Sequence, residues 1–281
     1  MKQAIRRLLK RLFRGKRKLK FSGYADGRID SGHVEFMSDG ELQRLNDLLP
    51  WMCFTVDRSG RRFGNMAWEA KRDAPQKIPD ERIELLHKLF NLADKSVLEV
   101  GCFEGVHTIA LSKYAKEVYA IDSRIENVVK TIVRSNLFGF KPSVLVCDLE
   151  KNEESGRLPK VDVLHHVGVL YHLKDPVTHL SRLGEIVRDG MLLDTHYATD
   201  EMINSAYDVQ GRTFRYYKYE EGGRDEVFSG MYDHAKWLSL ADIRDILGEM
   251  GFTDIRVHKD EIQRNGPRVT LFAARPSLIR R

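Results

Sequence analysis

Five short apolar segments between residues 96 and 195 constrain the fold of this chain more than any other feature of the sequence. Helical patterns of apolar residues separate these segments. Apolar strands that alternate with helices pair in parallel, and the helices then cover both faces of the sheet. We therefore predict a doubly wound α/β fold whose strands comprise residues 96–100, 118–122, 143–148, 161–166 and 191–195.

The flanking sequence extends this prediction in both directions. A helical pattern over residues 81–90 precedes the first strand, and Ser239 is the predicted N-cap of a helix that ends before Gly251. Residues 255–257 and 269–273 are then expected to form a C-terminal antiparallel hairpin. The predicted sheet is Rossmann-like, seven-stranded and mostly parallel.

Residues 1–20 carry a strong charge asymmetry. They contain ten basic residues and no acidic one, which leaves 36 basic and 41 acidic residues in the remainder of the chain. Aliphatic residues interleave with these cations at helical spacing, so we predict an N-terminal basic amphipathic helix, called the arm below. Three hypotheses stay open for the arm: adsorption to an anionic membrane surface, binding of RNA phosphates, or packing on the domain.

Glycines between residues 21 and 32 indicate a linker, and we assign residues 21–78 to a linker and N-terminal cap. Three cysteines without CxxC spacing argue against a disulfide framework or a zinc finger and favour a reducing compartment. The longest window free of charged residues, 163–173, is too short to cross a bilayer. We expect a cytoplasmic protein, placed at the inner face of the membrane if the arm binds lipid.

The ends of the first two strands predict a nucleoside site. A glycine turn over residues 101–105 lets a ligand approach the backbone, and Asp122 can accept both hydroxyls of a ribose. The turn lacks the G-x-G-x-x-G order of dinucleotide sites, and Glu99 is unfavourable beside a pyrophosphate. A carboxylate there suits an ammonium or sulfonium ligand better.

These residues resemble class I methyltransferases that depend on S-adenosyl-L-methionine (SAM), over residues 88–275. Residues 98–105 correspond to the first motif of that family, 121–122 to the second and 147–148 to the third. Phe103 departs from the family, in which many members have glycine at that position. The resemblance implies a SAM-dependent methyltransferase domain over residues 79–281.

A narrower resemblance is carried by residues 168–172, which read Gly-Val-Leu-Tyr-His, by Asp175-Pro176 and by Pro50-Trp51. They are similar to the methyltransferase group that contains the enzyme carboxymethylating the wobble uridine of tRNA. Residues 52–54 lack the cations that this group uses for the extra carboxylate of its cofactor. The expected cofactor is therefore ordinary SAM, and the transferred group is methyl.

The resemblance assigns residues at the strand ends to parts of the cofactor. The first motif would line the methionine part, the second would hold the ribose, and the third would border adenine. The alternative is that the acids only cap strand ends and the glycines only turn the chain. The candidate cofactor-binding residues are Glu99, Gly101, Cys102, Gly105, Asp122, Ser123, Asp148, Leu149 and Val167.

Methyl transfer depends mainly on positioning, and a hydroxyl acceptor additionally needs a base. His172 and His196 follow the fourth and fifth strands, with Tyr171 beside them, so these three are the candidate catalytic residues. A histidine hydrogen-bonded in the pocket wall is the alternative for either one. No HExxH or paired Cys/His spacing occurs, so no metal site is predicted, and His165 and His166 are assigned to packing.

Residues 198–237 form a predicted substrate cap, because about forty residues rich in aromatics and cations interrupt the strand-to-helix step there. Such side chains can stack on a sugar or nucleobase and bind phosphate; a structural subdomain is the alternative. The favoured function is O-methylation of a glycan or lipid-linked acceptor. A tRNA-modifying methyltransferase acting on a wobble uridine, and a catalytically inactive SAM-binding regulatory protein, are the alternatives.

Overall fold

The computed structural model describes residues 32–65, 74–151 and 158–276. The chain divides into two compact units, with the boundary between Lys77 and Ile78. The arm, residues 1–20, lies outside the described residues, so its predicted helix stays a prediction.

The first unit contains a helix and a small hairpin. Helix α1, Asp39–Leu48, begins at Ser38, whose side chain caps its first turn. Strands β1, Phe54–Val56, and β2, Arg62–Gly64, pair antiparallel. The described part of residues 32–77 thus contains regular secondary structure.

The helices of the second unit are α2 Glu81–Phe90, α3 Val106–Tyr114, α4 Ile125–Leu137, α5 Pro176–Ile186 and α6 Leu240–Glu249. Among them, α2 and α6 begin at residues whose side chains cap the first turn. The side chain of Asp80 accepts a hydrogen bond from the N–H of Arg82 in the first turn of α2 (2.9 Å). The side chain of Ser239 likewise accepts a hydrogen bond from the N–H of Asp242 in the first turn of α6 (3.0 Å). This confirms the predicted N-cap of α6.

The strands of the second unit form one large sheet and one small sheet. They are β3 Ser96–Val100, β4 Glu117–Asp122, β5 Ser143–Val146, β6 Val161–Val167, β7 Val187–His196, β8 Ser205–Val209, β9 Arg212–Glu220, β10 His234–Leu238, β11 Asp254–Gln263 and β12 Gly266–Ala274. The seven-stranded sheet has the order β11-β12-β7-β6-β3-β4-β5; β12 pairs antiparallel with β7 and β11, and the other pairs are parallel. This confirms the predicted α/β fold with its C-terminal hairpin.

Three strands are longer than their apolar segments. The strand predicted over 191–195 runs from Val187 to His196, and the hairpin strands predicted over 255–257 and 269–273 are ten and nine residues long. Most residues of β11 are exposed, because this strand forms the edge of the sheet. Its charged outer half therefore lacks the apolar pattern from which a strand is predicted.

The strand order of the large sheet determines where a ligand site can lie. From β3 the chain proceeds outward to β4 and β5, and it then returns to the other side of β3 with β6. Ligands of such sheets bind beyond the carboxyl ends of the strands at this reversal. The turn at residues 101–105 and the segment at residues 168–172 therefore emerge next to one another.

The predicted cap region contains the small sheet. Strands β8, β9 and β10 pair antiparallel in the order β10-β9-β8. Residues 221–233, called the cap loop below, connect β9 to β10. Among the described residues, no helix has the length and apolar character needed to span a membrane.

Candidate active site

The turn after β3 has a left-handed backbone at three positions. The φ angles of Gly101, Phe103 and Gly105 are +73°, +50° and +77°. Phe103, the departure from the family motif, therefore adopts a conformation that glycine reaches freely and that costs a bulky residue on the order of 1–2 kcal/mol. The turn therefore has the same kind of backbone conformation with phenylalanine at position 103 as it would have with glycine.

Two positions of this turn, Gly101 and Gly105, also have too little space for a side chain. A Cβ on Gly101 would lie 2.4 Å from Cγ2 of Val169, which belongs to the segment after β6. A Cβ on Gly105 would lie 3.0 Å from Cα of Thr131 in α4. The two glycines thus allow the turn to pack between the loop after β6 and helix α4.

Asp122 ends β4 with its carboxylate held by three N–H donors. Oδ2 accepts from the backbone N–H of Phe103 (3.0 Å), while Oδ1 accepts from the backbone of Arg124 (2.9 Å) and from Nδ2 of Asn127 (3.1 Å). Burial raises the pKa of Asp122, and these donors act in the opposite direction. The carboxylate is fixed toward the glycine turn, where a ribose would lie in the predicted site.

The other candidate cofactor residues lie at the same edge of the sheet. The N–H of Cys147 donates to the carbonyl of Asp122 (3.0 Å) and ties the ends of β5 and β4 together, with Asp148 and Leu149 next in the chain. Val167, the last residue of β6, pairs with Asp194 of β7. The fold therefore brings the candidates at 99–105, 122–123, 148–149 and 167 to adjacent strand ends. Their roles toward a cofactor stay predictions.

Glu99 is buried, and its Oε2 accepts a hydrogen bond from the hydroxyl of Thr108 (2.5 Å). Burial raises the pKa of this carboxyl to about 8. Its neighbour across the β3–β6 pair is His165. Among the described residues, neither ring nitrogen of His165 has a hydrogen-bond partner.

His107 completes a cluster with these two residues that sequence reasoning did not identify. One donor atom from each of Glu99, His107 and His165 lies within 4.8 Å of the others. A carboxylate and two imidazoles are donors that zinc accepts. Burial lowers the pKa of His165 well below its ordinary value, and the positive charge of Arg82 acts in the same direction.

Asp194 is a buried acceptor for three groups on two neighbouring elements, α2 and β12. Its carboxylate pairs with Arg82 of α2 (3.2 Å) and, within β12, accepts from Nε of Arg268 (2.7 Å) and from the hydroxyl of Thr270 (2.6 Å). Burial alone would raise the pKa of Asp194, but the two guanidinium groups lower it below the ordinary value. The network fixes helix α2 and strand β12 to β7 beside the site.

The imidazole of His172 is paired with a carboxylate from the cap. His172 ends a 3-10 turn, Leu170–His172, and its Nδ1 lies 2.6 Å from Oε1 of Glu221. The Glu221 side chain is 2% exposed, whereas that of His172 is 20% exposed. A base oriented by a buried carboxylate is a recurrent catalytic arrangement. Sequence reasoning identified His172 but missed Glu221, which carries no local signal.

His196 has different surroundings from His172. Its Nδ1 bonds to the carbonyl of Pro267 (2.9 Å), and its ring stacks on Trp237 with the centroids 4.9 Å apart. Burial lowers its pKa. These contacts favour the alternative stated above for this residue, a histidine held in the wall of the pocket.

Tyr171 lies between the two histidines. Its ring centroid is 4.2 Å from that of His172 and 4.8 Å from that of His196. Trp237 donates to the carbonyl of Tyr171 (2.8 Å), and Tyr219 stacks on the indole at 4.6 Å. These five rings form an aromatic wall, which combines residues after β6 and β7 with residues of the cap.

Comparisons with known proteins agree with the fold. A family model described as a methyltransferase domain matches residues 70–257. The tRNA U34 carboxymethyltransferase of Shewanella pealeana is 30% identical over 177 residues, which are 59% of this chain and 50% of that protein. The same enzyme of Pasteurella multocida is 28% identical over 189 residues, or 63% and 54% of the two chains. The chain thus spans about half the length of the curated relatives it matches.

A solved structure shares the fold over most of the chain. The N-terminal domain of EvdMO1 with SAH bound superposes with a TM-score of 0.71, at 21% identity, covering 85% of this chain and 98% of that one. A second structure of that domain, in the presence of SAH and D-fucose, gives a TM-score of 0.67. At this identity the likeness shows the fold.

Proposed function

Because the chain belongs to the family of class I SAM-dependent methyltransferase domains, we propose that it methylates a hydroxyl oxygen of its acceptor, with His172 as the general base. The observation that carries this proposal is the 2.6 Å contact between Nδ1 of His172 and Oε1 of Glu221. A methyltransferase that relied on positioning alone would not need an imidazole oriented by a buried carboxylate.

The residues at the strand ends fit the family's cofactor. The Gly101 turn has no room for a Cβ, and the carboxylate of Asp122 is already oriented by three N–H groups. We assign Asp122 to the ribose hydroxyls and Glu99 to the methionine part. When bound, SAM supplies an electrophilic methyl group on its sulfonium sulfur.

The His172–Glu221 pair would move one proton. With Nδ1 held by Glu221, Nε2 of His172 is the nitrogen that accepts the hydroxyl proton of the acceptor as the oxygen becomes methylated. The carboxylate of Glu221 stabilises the imidazolium that results, in the role that an acid has in other base–acid pairs. The proton later leaves to solvent from the partly exposed ring.

A sugar hydroxyl is the acceptor that we propose first, as part of a glycan or a lipid-linked glycan. Tyr171 is a half-buried ring beside the base, and Tyr219 is a half-buried ring of the same aromatic wall. Aromatic faces stack well on sugar rings. A neighbour in fold, the EvdMO1 domain, was crystallised in the presence of D-fucose.

A second candidate acceptor is the wobble uridine of tRNA. The curated relatives are tRNA U34 carboxymethyltransferases, at 30% identity or less over half of their length. In this alternative the ten cations of the arm would bind the phosphate backbone.

Transfer of labelled methyl from SAM into separate glycan, lipid and tRNA extracts tests these alternatives. We expect label in a sugar-containing fraction, and an initial rate of labelling that is lower by roughly 100-fold or more with His172→Gln protein. Label in tRNA alone would replace the first acceptor with the second. SAM binding with no transfer to any fraction would support the third alternative, a catalytically inactive regulatory protein, and contradict the proposed reaction.

A further inference from the structure

We propose that Arg124 is a positioning residue that fastens the cap loop, residues 221–233, to the cofactor-binding edge of the sheet and thereby holds Glu221 against His172. This inference rests on the proposed function, since it concerns the assembly of the proposed base. It adds a residue to which sequence analysis assigned no role.

Arg124 acts on both sides of the site. Its backbone N–H donates to Oδ1 of Asp122 (2.9 Å), at the proposed ribose position. Its guanidinium donates to four carbonyls of the cap loop within 3.0–3.3 Å, which belong to Gly223, Arg224, Glu226 and Gly230.

The geometry of these bonds explains why an arginine stands here. Nη2 has two hydrogens and shares them among three carbonyls, at 3.0–3.2 Å, while Nε serves the fourth at 3.3 Å. A planar guanidinium with several donors can collect carbonyls in this way, whereas a lysine ammonium lacks the fork geometry. A loop of irregular backbone thereby obtains hydrogen-bond partners that a sheet or helix would otherwise provide.

A ring contact joins the same two parts of the molecule. The rings of Phe103, in the glycine turn, and Phe228, in the cap loop, have centroids 5.5 Å apart. Arg224 also pairs with Glu126 at 3.4 Å, but both side chains are about half exposed, so this pair contributes little. The cap loop is therefore attached to the cofactor edge chiefly through Arg124 and Phe228.

The loop conformation in turn determines where Glu221 points. Oε2 of Glu221 accepts from the backbone N–H of Gly230 (3.1 Å), and its Oε1 contacts His172. Gly230 packs against the backbone of His172 so closely that a Cβ would lie 2.1 Å from the His172 carbonyl oxygen. Because Arg124 binds the carbonyl of Gly230, loosening the loop would release the contact that orients the base.

The Arg124→Gln variant tests this chain of contacts. It keeps the backbone N–H on Asp122 and loses the guanidinium donors, so we expect SAM affinity within about 3-fold of native. Turnover should fall by about 10- to 100-fold, because the base is still present but less well oriented, and complete loss of a general base costs about 100- to 10,000-fold. The turnover of Arg124→Lys should lie between that of native protein and that of Arg124→Gln. Arg224→Gln is the matched control, because it removes an exposed guanidinium from the same loop and should leave turnover near native.

Hydrogen exchange measured by mass spectrometry provides a readout that does not need an acceptor. Five amides of the cap loop donate hydrogen bonds, those of Glu221, Gly222, Glu226, Ser229 and Gly230. We expect at least 10-fold faster exchange in peptides of residues 221–233 in Arg124→Gln and unchanged exchange in α4. Arg224→Gln should match native protein in both regions.

Native exchange in the cap loop of Arg124→Gln would overturn the proposal, and so would native turnover. Loss of SAM binding beyond 10-fold would also overturn it, since Arg124 would then serve the cofactor and not the base. If native protein methylates no acceptor, the proposed function fails, yet the exchange result still decides whether Arg124 fastens the loop.

Discussion

His172 and Glu221 are 49 positions apart in the sequence, and Nδ1 of one lies 2.6 Å from Oε1 of the other. The pair joins the segment after β6 to the cap loop. An imidazole oriented by a buried carboxylate is the arrangement that activates a base in many enzymes. This relationship makes the catalytic hypothesis specific enough to test residue by residue.

The first prediction concerns that pair. We expect His172→Gln to lower turnover by roughly 100-fold or more, and Glu221→Gln by about 10-fold or more, with SAM affinity nearly native in both. Because the two residues act as a unit, the double variant should be little worse than His172→Gln. Initial rates and calorimetry of SAM binding measure these quantities.

His196→Gln is the comparison variant for the first prediction. Its imidazole is bonded to a backbone carbonyl and stacked on Trp237, so we expect turnover within about 10-fold of native in folded protein. Near-native turnover of both His172→Gln and Glu221→Gln would remove histidine base catalysis from the mechanism.

The second prediction concerns Asp122. Asp122→Ala removes the proposed acceptor of the ribose hydroxyls and should weaken SAM binding by about 1.5–3 kcal/mol, the scale of hydrogen bonds to a charged group. Calorimetry of the folded variant measures the change, and Asp254→Ala, on the edge strand β11, is the control. Native SAM affinity in Asp122→Ala would contradict the ribose assignment.

The third prediction follows from the pKa of Glu99, which burial raises to about 8. Between about pH 4.5 and 8 the native protein holds a proton on Glu99 that the unfolded chain has released. The free energy of unfolding contributed by this group therefore falls as pH rises through that window. Glu99→Gln should lose this dependence.

Urea unfolding without SAM at pH 5.5 and pH 8 tests the third prediction. Relative to Glu99→Gln, native protein should lose stability toward pH 8, by up to about 1.4 kcal/mol per pH unit. Equal pH dependence in the two proteins would show that Glu99 is ionised in the native state throughout the range.

The fourth prediction concerns the buried network around Asp194. Asp194→Ala leaves Arg268 and Thr270 without their shared acceptor and removes a partner of Arg82, so we expect destabilisation of about 3–5 kcal/mol. In Asp254→Ala, which breaks a partly exposed pair with Arg256, the loss should be about 0–1 kcal/mol. Similar urea midpoints for the two variants would contradict the role assigned to Asp194.

The fifth prediction concerns the arm. Deleting residues 1–20 should leave SAM binding intact. If the arm binds lipid, native protein should cosediment with anionic vesicles and poorly with neutral ones, since each cation contributes up to about 1 kcal/mol at an anionic surface. Loss of this binding in the Leu8→Ser, Leu9→Ser double variant would support insertion of the aliphatic face.

If the arm binds RNA instead, cosedimentation of the same native and variant proteins with tRNA should show it. Retention on tRNA should then weaken with salt and survive both serine substitutions, because phosphate contacts do not use the apolar face. Native protein that binds no anionic vesicle even at low salt would contradict the lipid hypothesis.

Short-range patterns account for what the sequence determined by itself. Alternating apolar segments and helices predicted the sheet, because burial on both faces requires continuous apolar runs. The glycine turn and Asp122 were identified from their positions at strand ends, and parallel strands bring such ends to one edge. Caps such as Ser239 were identified because their hydrogen bonds span only three residues.

The tertiary structure alone decided which side chains meet across long stretches of chain. Glu221 meets His172 across 49 positions, and the guanidinium of Arg124 reaches the cap loop across 99 to 106. Neither Glu221 nor Arg124 stands in a local pattern, since a charged residue in a loop is usually solvated. His165 likewise became notable only when its neighbour in the sheet proved to be Glu99, a pairing set by the order in which the strands assemble.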